Sequence, residues 1–196
     1  MAVSDAVEER RIFMLKRSKK INIKYMVMAA FLTALSIVLT RFLSVIVPIA
    51  GLPTVRVGFG RAPIVMSGLL FGPLLGGLTG AAADLIGVLI NPMGTYHPGF
   101  TISAVLDGVI PGILAILFRK RLVNGNFITL GRVFIVELIL TILNSIILNT
   151  LWLTQLLGKG YMILLPARVI NAVVNLPIQT IIIYTIMKYI RKMVDD

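Results

Sequence analysis

The sequence predicts an all-α, polytopic membrane protein of six transmembrane helices, and three observations carry that reading. Hydrophobic residues make up 58% of the 196 residues and charged ones only 14%, whereas a soluble domain is about half apolar and about a quarter charged. The apolar residues fall into six runs separated by glycine, proline and charge. The basic residues crowd the ends of those runs and leave their interiors almost uncharged. At about 20 residues per span, a chain of this length holds about six spans with short loops. That excludes a fused ATPase or a sizeable receptor domain.

Residues 1–22 form a basic arm carrying Glu8, Glu9, Arg10, Arg11, Lys16, Arg17, Lys19 and Lys20 around the short apolar patch 12–15. A secretory signal needs a longer apolar run followed by a small-residue cleavage site, so the arm reads as a cytosolic surface segment. Residues 23–196 read as a single transmembrane domain, with spans at about 24–47, 61–72, 74–92, 99–118, 131–155 and 162–188. The second is too short to cross alone unless 54–60 joins it. Gly72-Pro73 reads as a tight turn between spans two and three, because proline cannot continue a helical ladder and glycine accepts unusual dihedrals.

The net charge of +11 does not call for nucleic acid, since the basic residues lie beside apolar runs rather than on a soluble face. All but five of the nineteen Lys and Arg residues sit in the arm through Lys24, after span four (Arg119, Lys120, Arg121, Arg132) or at the C-terminal end. The five are Arg41, Arg56, Arg61, Lys159 and Arg168. By the excess of positive charge on cytoplasmic loops, both termini face the cytosol, and the loops near 48–60, 92–99 and 155–162 face outward.

A charge at the centre of a span costs at least about 2.5 kcal/mol on insertion scales, so each intramembrane ionisable residue needs a reason. Asp84 lies near the middle of span three on a small and polar stripe with Gly80, Gly87 and Asn91. Asp107 approaches mid-depth in span four, and its role stays open. In span six Arg168, Asn171 and Asn175 share one face, and in span five Asn149 and Trp152 do. Spans three to six therefore offer hydrogen-bonding groups to a common interior in the outer half. The competing reading is that such groups only tie helices together, and it applies most strongly to Asn144, Asn175 and Glu137.

The outer segments 51–60 and 91–100 combine glycine hinges and proline with Phe59, Tyr96, His97 and Phe100, as loops that close over a ligand would; an interfacial aromatic belt competes for Tyr96, Phe100, Tyr161 and Trp152. His97 is the only histidine, so a loop hydrogen bond is a better use for it than a metal. Gly68, Gly72, Gly76 and Gly80 recur every four residues and read as close packing on either side of the turn, and Ala30 and Ala34 in span one permit close approach of another helix. The sequence contains no phosphate-cradling Gly-x-x-x-x-Gly-Lys-Ser/Thr, no His-Glu-x-x-His and no Gly-x-Ser-x-Gly. Without cysteine there are no disulfides, thiolate zinc sites or cysteine nucleophiles. Neither catalysis, a metal nor a cofactor is expected, and the halves show no repeat of a broken helix of the kind many self-sufficient transporters carry.

The segments Arg56-Val-Gly-Phe-Gly60, Pro63-Ile64, Gly68-Leu-Leu-Phe-Gly-Pro73, Gly76, Gly80, Ala83-Asp84-Leu-Ile-Gly87 and Pro98-Gly-Phe-Thr-Ile-Ser-Ala104 resemble the substrate-binding S components of energy-coupling factor (ECF) vitamin transporters. Within them the folate-specific group is the most similar, on the Arg56 segment together with Pro-Gly-Phe-Thr. The resemblance implies a bacterial membrane complex in which a scaffold subunit and two ABC ATPases drive uptake. It also implies that span one packs on the scaffold through Ala30 and Ala34, and that the S component topples to carry its vitamin inward. Folate suits the polar residues as well. Its glutamate tail carries two carboxylates for Arg56, Arg61, Lys159 or Arg168. Its pterin offers a donor edge for Asp84, Asn149 or Asn171 and a flat face for Phe59, Tyr96, Phe100 or Trp152. Another anionic vitamin such as pantothenate would also satisfy the arginines, and a self-contained secondary transporter is a second alternative.

Overall fold

The computed structural model describes residues 23–49, 52–92, 95–120, 129–158 and 160–195, with the backbone alone for 45–57, 119–120 and 190–195. The basic arm, Arg121 and Lys159 lie outside the described residues. Helix α1 spans Ile23–Arg41, and a hairpin of β1 (Val45–Ile49) and β2 (Leu52–Val57) follows. Next come α2 (Arg61–Phe71), α3 (Pro73–Ile90), α4 (Pro98–Lys120), α5 (Leu130–Leu140), a π-helical stretch Thr141–Leu148, α6 (Asn149–Leu157) and α7 (Tyr161–Asp195).

Five helical segments are long and apolar enough to cross a membrane, α5, the π stretch and α6 counting as one, and the 11-residue α2 is the short sixth. The sides that face away from the bundle are apolar: on α1 alone Met26, Val27, Phe31, Leu35 and Val38 are exposed. In water such a surface would aggregate, and against lipid it is matched.

Span one stops short of its expected end. The helix ends at Arg41, and residues 45–49 turn into a strand that pairs antiparallel with 52–57, Val45 opposite Val57 and Val47 opposite Val55. Val45, Ile46 and Val47 are β-branched and suit a strand, and Pro48 sits at the irregularity in the register. Residues 54–60 therefore do not lengthen α2: the backbone of 54–57 belongs to β2, and 58–60 form the bend that leads into α2.

The turn at Gly72-Pro73 is present. Gly72 has φ of 93°, a conformation that costs glycine little, and Pro73 opens α3 where its missing N–H is no loss. The two helices fold back on each other, and Ser67 and Thr79 share a 2.8 Å hydroxyl hydrogen bond. The four-residue glycine spacing explains the closeness. A Cβ at Gly68, Gly76 or Gly80 would run into the backbone of α4 at Gly108 or Ala104, and one at Gly112 would meet Pro73. This is the small-residue packing that lets membrane helices approach backbone to backbone. At the end of the bundle remote from the hairpin, Val65, Met66, Leu69, Leu140, Ile183 and Met187 form the apolar core.

Candidate functional site

Polar groups gather at two levels. Near the hairpin end, the Arg41 guanidinium closes α1 by donating to the Asn91 carbonyl at 3.2 Å and lying 3.6 Å from Asp84 Oδ1. Thr101 Oγ1 donates to Asp84 Oδ2 at 2.8 Å and shares a 3.0 Å hydrogen bond with the Tyr96 hydroxyl. Asp84 is thus held by α1 and α4, and Arg41, which sequence reasoning placed only at a span end, is its counter-ion. Pairing was invisible because 43 positions separate the two residues.

Beside this cluster an aromatic group joins α4 to α6. The His97 and Trp152 rings lie 5.6 Å apart at 30°, and Phe100 stands edge-on to His97 at 6.1 Å. His97 Nδ1 accepts the Gly99 N–H at 3.1 Å, which is the loop hydrogen bond expected of it. Gly99 is there because the indole leaves no room: a Cβ on it would overlap the six-ring junction of Trp152. Trp152 Nε1–H donates to Ser103 Oγ at 3.2 Å, and Asn144 Nδ2 donates to the Ser103 carbonyl at 2.7 Å. Ser103 is a residue that sequence reasoning missed as a site member; its spacing of four from Gly99 on α4 was the available signal.

The π-helical stretch brings a second amide inward. At α-helical spacing, positions five apart lie about 140° around the axis, yet Asn144 and Asn149 both bury their side-chain oxygens. Neither Oδ1 has a hydrogen-bond partner among the described residues. On α7 the expected shared face is partly self-contained, with Asn175 Nδ2 donating to Asn171 Oδ1 at 2.5 Å and to its carbonyl at 3.0 Å. Arg168, one turn toward the hairpin end, is half-buried, and no described residue pairs with it. Tyr161 donates to the Ile146 carbonyl at 3.2 Å, so it ties α7 to the π stretch.

Arg61 is not a surface cation as its position before span two implied. It opens α2 inside the bundle, with Nε 3.0 Å from Asp107 Oδ1. The reason is the shortness of α2, which starts below the end of α1: Ser36 donates to the Gly60 carbonyl at 2.6 Å. Arg61 and Asp107 form the second level, displaced from Thr101 by six residues of α4, about 9 Å. The interior is therefore divided, where one common polar interior was expected. Phe59 is half-buried at the bend before α2, and Arg56 lies in β2 opposite Ile46. A pocket of about 160 Å³ opens between Thr40, Ser44, Gly58, Gly60 and Arg61; vitamin-sized ligands occupy roughly 300–1,000 Å³, so this pocket alone does not hold one. Ala30 and Ala34 lie on the exposed side of α1, among its apolar side chains.

Known proteins share this fold. The folate transporter FolT of Clostridium novyi (strain NT) is 39% identical over 175 residues, covering 89% of this chain and 93% of the relative. A crystal structure of FolT bound with folic acid has a TM-score of 0.68 at 30% identity, covering 83% of this chain and 92% of that one. The S component of a bacterial ECF transporter shares the fold, with a TM-score of 0.68 at 21% identity over 88% of this chain and 98% of that one. The family described as ECF-type riboflavin transporter, S component, matches residues 20–192. With that match running through all six helical segments, and with FolT aligned along nearly its whole length, the chain belongs to the S components of ECF-type transporters.

Proposed function

We propose that this chain binds folate at its hairpin end and delivers it for ATP-driven uptake with a membrane scaffold and two ABC ATPases. It is a binding subunit and not a catalyst, lies in a bacterial cell membrane with both termini in the cytosol, and folds from residue 23 to 196 as one unit behind a basic arm at 1–22. The observation that carries the substrate is the 39% identity with FolT across almost the full length of both chains.

The chemistry of the site supports this reading. Arg168 is a half-buried cation with no described partner, which suits a carboxylate of the glutamate tail, and Arg56 of the hairpin is the second candidate for it. Arg61 is a weaker one, because Asp107 already engages it. Asn149 Oδ1 is a buried acceptor without a donor among the described residues, as required to read the amino edge of a pterin. Trp152, His97, Phe100, Tyr96 and Phe59 supply flat faces, and Asp84 and Asn171 line the same end. Ala30 and Ala34 face the scaffold. The name of the matching family makes riboflavin the second reading. Isothermal calorimetry on the detergent-purified chain with folate, riboflavin and pantothenate separates them: folate is expected to bind with sub-micromolar affinity as a rough scale. Riboflavin binding with no folate response would replace folate as the substrate.

A further inference from the structure

Two helix ends and one glycine meet at Arg41. The residue closes α1, and its Nη1 donates to the carbonyl of Asn91, the residue that ends α3, at 3.2 Å. The C-terminal ends of α1 and α3, which carry partial negative charge, thus share one cation. Gly87 forms its seat. It is buried, and a Cβ there would come within 2.8 Å of Arg41 Nε and 3.1 Å of Nη2, so only a residue without a side chain lets the guanidinium lie on α3. From that seat Nη2 stands 3.6 Å from Asp84 Oδ1, with the arginine side chain 8% exposed.

Asp84 passes the contact on to α4. Its Oδ2 accepts the Thr101 hydroxyl at 2.8 Å, and Thr101 shares a 3.0 Å hydrogen bond with Tyr96. Thr101 falls midway between Gly99 and Ser103. At about 100° per residue, Gly99 and Ser103 lie on one side of α4, where the Trp152 indole packs on the first and donates to the second at 3.2 Å. Thr101 lies on the opposite side. The first turn of α4 is therefore held from behind by Asp84 and meets the indole in front.

We propose that Arg41, seated on Gly87, is a positioning residue for the ligand site: it orients the Asp84 carboxylate, which acts on the bound vitamin through Thr101 and the first turn of α4 rather than by contact. The inference rests on the folate reading and names how Asp84 serves it. A carboxylate whose two oxygens face a guanidinium and a hydroxyl is fixed in direction by both. Without the guanidinium it turns toward water, and Thr101 loses an acceptor held in place. A pair that only strapped α1 to α3 would change stability and leave Trp152 as it is.

Gly87→Ala separates these roles. The three atoms nearest to the added methyl all belong to the Arg41 guanidinium, the mobile end of a long side chain, so the guanidinium swings away while both charges remain and the helix gains the propensity of alanine. The melting temperature is expected to hold or rise. The emission of Trp152, the only tryptophan, is expected to shift in the ligand-free chain, and the Kd for folate in calorimetry to rise about tenfold, within the range for residues that touch no ligand. Arg41→Gln and Thr101→Val are expected to give the same emission shift and a similar loss of affinity. Combining Gly87→Ala with Arg41→Gln is expected to add no loss to that of Arg41→Gln alone. Native emission in Gly87→Ala would overturn the proposal, as would losses that multiply in the double variant or a melting temperature that falls in step with affinity. Native folate affinity in Thr101→Val would do so too, since Asp84 would then meet the ligand directly. If the native chain bound no folate, the folate reading would fail, and the ligand-free emission of the same variants would still decide the role of Arg41.

Discussion

Gly99→Ala places a methyl group where the Trp152 indole lies, because a Cβ at this position would overlap Cδ2, Cγ and Cε2 of the ring. Either the indole or the first turn of α4 has to move. Overpacking of this kind costs about 1–3 kcal/mol, offset by at most about 1 kcal/mol that alanine gains over glycine in a helix. The expected net effect is a loss of up to about 3 kcal/mol. In a Trp152→Ala background the obstacle is gone, so the same substitution is expected to change sign and stabilise by up to about 1 kcal/mol. Thermal unfolding followed by circular dichroism gives this double-mutant cycle. Trp152 is the only tryptophan, so the emission of Gly99→Ala reports directly on whether the indole has left Ser103 Oγ, now 3.2 Å away. Folate affinity is expected to fall along with that change. An equal destabilisation in both backgrounds, with unaltered emission, would show that Gly99 is needed for a reason other than the ring.

Arg168→Ala is expected to weaken folate by about 1.5–3 kcal/mol, the worth of a charge-assisted contact, and to leave pteroate, which lacks the glutamate, almost unchanged; calorimetry with both ligands checks this, and equal losses would move the arginine away from the tail. Because no described residue pairs with Arg168, the melting temperature is not expected to drop. Replacing Ala30 and Ala34 together with leucine is expected to spare folate affinity in detergent and to cut uptake sharply in proteoliposomes containing the scaffold and ATPases. A parallel collapse of both, or no change in either, would place the two alanines elsewhere than on a partner.

The helices were legible because an apolar run of some twenty residues has one common fate in a membrane, and the Gly72-Pro73 turn was legible because its two residues permit little else. Residues 45–47 were not, since a short apolar run such as Val-Ile-Val reads alike as the end of a helix or as a strand, and only pairing with 52–57 decides. Asp84 and Asp107 were conspicuous as charges in apolar surroundings, yet their partners were not, because Arg41 and Arg61 come from other helices and a sequence does not show which helices touch. The Arg61–Asp107 pair depends on α2 being too short to carry Arg61 to the surface.

That shortness also supports the proposed placing of a water-soluble ligand at the hairpin end. Eleven residues of α2 rise about 16 Å, roughly half of a hydrocarbon core about 30 Å thick, and the chain completes the crossing as the β1–β2 hairpin. Gln179 holds the Gly58 carbonyl from a point 18 residues into α7, about 27 Å along the helix, so the base of the hairpin sits well inside the bundle. A two-stranded sheet leaves peptide groups unpaired on both outer edges, and lipid cannot hydrogen-bond them. Non-helical backbone persists at this depth only when buried in protein or lining a wet cavity. The hairpin must therefore lie against polar groups or water, and Arg168, Asn149 and the His97–Trp152 rings are gathered at the same end of the bundle. A vitamin with a charged tail and a flat, hydrogen-bonding head satisfies both demands at once.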